Sequence, residues 1–417
     1  MAQADIFGHW SEGSITSVNL TGVAYGNGVF VAVGNNEVWT SKDAFSWSKS
    51  PSFVVNISLS AITFAEGVFV AVGTVTTPGY TPNIIITSVN GKDWQTTSST
   101  GDGPWKYVTF VNNQFVAFGG PSQGYSYKGA QSGYSASPDG YSWSDGNFEG
   151  VFYVGIVGVT YANGSFFTAT SGSGFPATIY ASPTLSQMGF SPAHTNSRPR
   201  ATSTPAVMPA FLGEAGSFAG TLSGFANGRG TLVAVGAAGL ITTSVDEVGN
   251  WTTAASGTAN TLEAVTYANG YFVSVGADGA VVTSSDGITW TYRNSKTKNL
   301  LQGVAYGKSH FVAVGLAGTV VISSDESAPV ITKQPTALTV KKGATAVFTV
   351  TASGNPAPTY AWQRNNKILA NGGNIKGITT AKLTLTKVTS ANAGSYRVVV
   401  SNAIGTATSS AVKLTVK

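Results

Sequence analysis

Gly22-Val-Ala-Tyr-Gly-Asn-Gly-Val-Phe-Val-Ala-Val-Gly34 decides how this chain is read, because it returns six more times. The later copies run from Ala61 to Gly73, Tyr107 to Gly119, Gly158 to Thr170, Gly224 to Gly236, Ala264 to Gly276 and Gly303 to Gly315. Phe30, Phe69, Phe115, Phe166, Phe272 and Phe311 anchor six copies, and Leu232 holds that place in the fifth. Self-similarity at a period near forty residues is the sign of a repeat architecture. Within one copy, an apolar segment meets a Gly-Asn-Gly turn of the kind a tight hairpin needs. The segment after it, Phe30–Val33, is apolar at every position, as expected of a strand covered on both faces. A third strand ends in Thr40-Ser41-Lys42-Asp43 and a fourth carries Trp47. Four strands per unit and seven units predict a seven-bladed β-propeller over residues 1–327.

The third-to-fourth strand turn has its own pattern. It reads Ser137-Pro-Asp139-Gly140-Tyr-Ser-Trp143 and Ser284-Ser-Asp286-Gly287-Ile-Thr-Trp290. Looser forms pair Asp43 with Trp47, Asn90 and Gly91 with Trp94, and Asp246 with Trp251. This resembles the Asp-box of sialidase-like propellers. A carboxylate there can cap turn amides and the indole can fill the space between blades, so the motif reads as structural. The seventh copy stops after Ser323-Ser324-Asp325, while an unassigned Trp10 precedes the first. Residues around Ile6–Glu12 are therefore expected to supply the missing outer strand and remove an exposed edge.

From Pro329 a different pattern begins, with Gly343-Ala-Thr-Ala-Val-Phe-Thr-Val350, Pro356-Ala-Pro358-Thr-Tyr-Ala-Trp362 and Ala393-Gly394-Ser-Tyr396-Arg-Val398. It resembles an I-set-like immunoglobulin domain over residues 328–417. The resemblance implies that Trp362 is the core tryptophan and Tyr396 the tyrosine corner. It also puts Ala352 and Val398 where the family has a disulfide, and the sequence has no cysteine. Such cysteine-free versions are similar to those on bacterial surface proteins and phage virion proteins.

The formal charge of +5 conceals a split. Residues 1–327 carry 12 basic and all 18 acidic residues, a net −6, and residues 328–417 carry 11 basic and no acidic residue. A domain of that kind, with Lys341, Lys342, Lys367, Lys376, Lys382 and Lys387, suits a polyanionic surface, or else solubility or docking on the acidic propeller. No motif or aromatic interleaving predicts nucleic-acid binding. No apolar run approaches twenty residues, so no membrane span is expected. His9, His194 and His310 have no metal-ligand spacing, and no metal or other cofactor is expected. Met1-Ala2-Gln3-Ala4-Asp5 does not read as a secretory signal. That fits a protein made in a bacterial cytoplasm, or one whose signal has been removed.

A sialidase would need three clustered arginines, and the propeller offers only Arg198, Arg200, Arg229 and Arg293. The Arg-Ile-Pro motif of those enzymes is missing. None of the acids stands in an apolar setting that would mark a raised pKa, so an enzyme is not expected, and a glycoside hydrolase ranks last. The photosystem assembly factor, another propeller that this chain resembles in class, is a non-enzymatic binder. In a four-stranded blade, second-to-third loops and blade linkers share one face, and the two other turns share the opposite face. Insertions at Thr74–Asn83, Gly120–Tyr134, Ser171–Ala177 and Ser186–Thr221 are all expected on the first face, a candidate contact surface. Its predicted contacts are Tyr80, Trp105, Tyr125, Tyr127 and Tyr134, with Arg198 and Arg200, for a host-surface glycan or a virion structural protein. The leading expectation is a bacteriophage virion component: capsid-decorating, head-fibre or tail-associated. The alternative is a secreted or cell-surface bacterial adhesin.

Overall fold

The computed structural model describes residues 7, 9–51, 56–75, 82–97, 105–119, 131–152, 155–172, 175–182, 214–245, 250–324, 327–402 and 404–417. The chain divides into two compact units, the first spanning Trp10–Ile322 and the second containing Ser323–Lys417.

The first unit holds seven four-stranded antiparallel sheets, the blades of a propeller. Blade one is built from Leu20–Gly26, Val29–Gly34, Glu37–Ser41 and Trp47–Lys49, paired in chain order. Its first hairpin turns at Asn27 and Gly28 with φ of 46° and 79°, the pair of positive values that matches strand twist. Phe30, Val31, Ala32 and Val33 are fully buried, since a second strand packs on neighbouring blades with both faces. Each large side chain so buried contributes roughly 1.5–3 kcal/mol. In blade seven, His9–Ser14 is hydrogen-bonded to Thr319–Ser324, outside His310–Gly315 and Leu301–Gly307. Trp10 on that strand is 2 % exposed. Ser14 Oγ donates to Ala317 O at 2.8 Å and Ile15 N to Gly318 O at 3.1 Å, extending the attachment past the strand.

The Asp-box-like turns share one geometry. Asp139 Oδ1 accepts from the amides of Tyr141 and Ser142, both at 2.8 Å. Ser137 Oγ accepts from Gly140 N, and Trp143 Nε1 donates to Gly140 O at 3.0 Å. Asp43 and Asp286 repeat this arrangement, and Asn90 does so in blade two with a neutral amide oxygen. An acceptor, and not a charge, is what the turn requires.

Blade four departs from the expected plan. Its fourth strand is Glu214–Phe218, which pairs with Phe175–Ser182 through Ala177↔Phe218 and Tyr180↔Glu214. Ser186–Thr221 is therefore not a linker between blades. Residues 183–213, which connect the third strand to the fourth, lie outside the described residues. The strand carries no tryptophan. Phe218 takes that place, edge-on to Trp251 of blade five at 6.1 Å.

The second unit is a β-sandwich. One sheet joins Leu338–Val340, Val412–Val416, Gly394–Ser401, Thr359–Arg364 and Lys367–Ile368, and another joins Ala346–Thr349, Lys382–Leu385 and Ile375–Lys376. Trp362, Phe348, Val398 and Tyr396 are buried together, and Phe348 stacks on Tyr396 at 4.9 Å. Tyr396 Oη donates to Asn392 O at 2.7 Å, which ties the strand to the turn before it. Val350, not Ala352, is the fully buried residue packed with Val398 and Trp362, and Ala352 lies at the edge of that core.

Candidate functional site

Each blade's innermost strand contains one residue more than its partner at the same place. The register skips between Leu20 and Gly22, Leu59 and Ala61, Trp105 and Tyr107, and Ile156 and Gly158. It skips likewise between Leu222 and Gly224, Leu262 and Ala264, and Leu301 and Gly303. These are β-bulges, and a bulge re-aims the side chain of its extra residue. The extra residues are Thr21, Ser60, Lys106, Val157, Ser223, Glu263 and Gln302. All seven line one central cavity of about 240 Å³, together with their neighbours from every blade. The propeller axis thus carries a ring of seven side chains of six kinds at a single level.

The ring has a defined face. Trp105 pairs with Gly119, and the inserted segment of blade three begins at the next residue. In blade two the strands run past the bulge to Ile57↔Val75, where Val75 N donates to Pro82 O at 2.9 Å. The mouth of the channel therefore opens on the side where the second strands of blades two and three end. The expected Ser186–Thr221 linker is not one of the connections on this side, because Glu214–Phe218 is the fourth strand of blade four.

Burial gives the ring its electrostatics. Glu263 is half-buried, and desolvation raises its carboxyl pKa above the usual range. A carboxylate in a low-polarity setting was not expected from the sequence. Tyr107, next to the bulge of blade three, has its pKa raised by burial first and by the Glu263 charge second. Its ring stacks on Phe118 at 5.5 Å, 18° from parallel. Gln302 Oε1 is buried with no hydrogen-bond partner among the described residues. Lys106 is exposed, and Lys106 and Glu263 are the two charged members of the ring. A glycosidase places two carboxyl groups about 5–10 Å apart; among the described residues lining this cavity, Glu263 is the one carboxylate. No group of three metal-ligating side chains occurs among the described residues.

The seven residues predicted from sequence fare differently. Tyr80, Tyr125, Tyr127, Arg198 and Arg200 lie outside the described residues. Trp105 is 1 % exposed and packs with Val68, Val70, Val108 and Phe115, so it is a core residue and not a contact. It stands where Leu20 and Leu59 stand in blades one and two. Tyr134 is half-buried on the third strand of its blade, against the backbone of Gly146. The ring residues were not among those predicted. Their signal was the glycine that closes the repeat. A Cβ on Gly73, Gly236, Gly276 or Gly315 would collide with the carbonyl that the bulge brings against it.

Residues 329–416 match the family of immunoglobulin I-set domains. The chain is 42 % identical over 93 residues to a segment of Endoglucanase C from Cellulomonas fimi, covering 22 % of this chain and 8 % of that protein. It is 32 % identical over 87 residues to part of Hemicentin-2 from Mus musculus, covering 21 % and 2 %. The chain thus spans a small fraction of either relative. The solved structure of YCF48 bound to D1 peptide shares the propeller fold. It has a TM-score of 0.52 and 13 % identity, over 76 % of this chain and 95 % of that one.

Proposed function

We propose that the chain is a non-enzymatic attachment or structural protein whose propeller recognises its partner with the face that carries the channel mouth. The observation that carries this reading is the coincidence of two independent features on one face. Seven bulges turn side chains of differing chemistry toward the axis there, and the inserted segments of blades two and three leave from the same side. A purely structural repeat has no use for a variable ring at a position that its own packing keeps open. On the opposite face, the turn carboxylates are already bonded to their own amides.

The preferred setting is a bacteriophage particle, as a capsid-decorating, head-fibre or tail-associated component binding a host-surface glycan or another virion protein. A secreted or cell-surface bacterial adhesin is the second reading. It draws support from the identity between a 93-residue stretch of the chain and a segment of a bacterial endoglucanase. In either setting the immunoglobulin-like unit meets an anionic surface. Lys342 N donates to Lys417 O at 2.9 Å and Gly343 N to Val388 O at 2.8 Å, which gathers Lys341, Lys342, Lys387 and Lys417 at one end. No carboxylate side chain offsets them within that unit.

The test is attachment of the labelled full chain to bacterial cells and to glycan arrays. Shortening the blade-three insertion, 120–130, to the length found in blade six should abolish attachment and leave the melting temperature unchanged. Normal attachment by that variant, or a partner footprint confined to the short-turn face, would overturn the reading.

A further inference from the structure

The two charged members of the ring, Glu263 of blade six and Lys106 of blade three, sit on opposite sides of the channel mouth. Blades six and seven, adjacent in the ring, contribute Glu263 and Gln302. Both are acceptors drawn out of water, and the amide oxygen of Gln302 has no hydrogen bond among the described residues. A buried acceptor left unpaired costs free energy that a ligand donor can recover. Blade three contributes the Lys106 ammonium, which can only donate. Ser60 of blade two and Ser223 of blade five add hydroxyl groups between these two sides. The position after the bulge is Gly22, Ala61, Gly158, Gly224, Ala264 or Gly303 in six blades, and Tyr107 in the third. A Cβ on Gly22, Gly158, Gly224 or Gly303 would meet the first strand of the next blade, so small residues here let the blades approach, and in blade three Tyr107 packs against the core that holds Phe118, Ile156 and Val159.

We infer that the channel mouth is a binding site for a single pyranose residue of a glycan. This rests on the reading that the same face is the recognition surface. The charges argue for a neutral ligand. Glu263 disfavours an anion and Lys106 disfavours a cation, and together they leave the ring with no net charge. A sugar carries donors and acceptors around its whole rim. Adjacent hydroxyl groups can donate to Glu263 and to Gln302 Oε1, and a ring or hydroxyl oxygen can accept from Lys106. The cavity of about 240 Å³ has room for one pyranose. Its affinity should be on the order of millimolar, as for other ligands of so few atoms that keep one side in water. Attachment through many copies would multiply that weak contact.

The experiment is saturation-transfer NMR on the full chain. The probes are the methyl pyranosides of glucose, galactose, mannose, rhamnose and N-acetylglucosamine, with arginine amide as cationic control and glycine as zwitterionic control. We expect transfer to at least one pyranoside and to neither control. Glu263→Gln should weaken it about tenfold, and Ser223→Trp, which fills the mouth, should abolish it. Both variants should melt as cooperatively as the wild type. Should Ser223→Trp misfold, Glu263→Gln decides alone, because the Glu263 side chain replaces no packing contact when it becomes an amide. The site is wrong if no pyranoside in the panel responds, if arginine amide or glycine responds more strongly, or if transfer persists unchanged in Glu263→Gln. Loss of attachment on shortening blade three, with no pyranoside response, would remove this site and leave the recognition face standing.

Discussion

The backbone carbonyl of Asn19 occupies the space that a Cβ of Gly34 would need. The contact exists because Thr21 is an extra residue in the first strand, which pushes the chain just before it against the end of the second. The backbone at the equivalent Gly236 and Gly276 is extended, with φ of −176°, so these glycines are required by space and not by an unusual dihedral. Gly34→Ala should therefore destabilise the propeller by roughly 1–3 kcal/mol, the usual cost of overpacking. Gly13→Ala, where no atom lies within 4 Å of the new carbon, should stay within about 0.5 kcal/mol of wild type. Chemical denaturation of the two variants checks the pair. Equal stabilities would mean that the bulge relaxes at no cost.

The strand His9–Ser14 supplies the outer edge of blade seven, and Trp10 is its buried anchor. Truncating the indole in Trp10→Ala should cost roughly 3–5 kcal/mol. Deleting residues 1–13 should cost at least as much and expose the free edge of Thr319–Ser324, with aggregation as the visible consequence. A deletion variant that melts with the full chain and stays monodisperse would show that blade seven holds without its fourth strand.

Much of this architecture could be read from the repeat, because the alternation of a tight hairpin with an all-apolar second strand is a direct image of blade packing. Phe30, Phe69, Phe115, Phe272 and Phe311 are all fully buried, as the pattern requires. The functional ring was not legible in the same way. Thr21, Ser60, Lys106, Val157, Ser223, Glu263 and Gln302 have no common chemistry, and a period-two reading of the strand misplaces them, since a bulge breaks that period. Only the glycine at the far end of the phrase betrays the bulge. Trp105 misled for the opposite reason. An aromatic residue beside a Gly- and Tyr-rich insertion looks like a contact, whereas its register matches the buried leucines. Glu214–Phe218 escaped notice because Phe218, and not a tryptophan, fills the space between blades four and five.

Acid should loosen the short-turn face before the rest of the propeller. Amides of Ser46 and Phe45 hold the Asp43 carboxyl down to about 2, and Ser142 and Tyr141 do the same for Asp139. A depressed folded-state pKa means that the stabilisation is complete above the unfolded value of 3.8 and is lost as pH falls toward 2. Asn90 shows that an amide oxygen serves the same turn. Asp139→Asn should therefore gain on the wild type in melting temperature between pH 5 and pH 2.5, while Asp139→Ala should be weaker throughout. A constant difference between Asp139→Asn and wild type over that range would show that the carboxylate charge contributes nothing to the turn.

Glu263 should behave in the opposite sense. Burial at the channel mouth raises its pKa above the ordinary 4.5, so the folded protein holds this proton more tightly than the unfolded chain does. By linkage, ionising Glu263 costs stability, and the cost grows as pH rises from the unfolded pKa through the raised folded one. Below about pH 4 the carboxyl is protonated in both states and the cost vanishes. Glu263→Gln, which cannot ionise, should therefore raise the melting temperature at pH 7 and lose that advantage as the pH approaches 4. The channel is open to water at its mouth, so the gain should be modest. The expected pairing of higher stability with weaker ligand binding in one variant is the signature of a group kept for contact at the expense of the fold. Thermal melts of wild type and Glu263→Gln at pH 4, 5.5 and 7 check it. A variant less stable than wild type at pH 7 would mean that the carboxylate already has a stabilising partner, and that the mouth does not hold an acceptor in need of one.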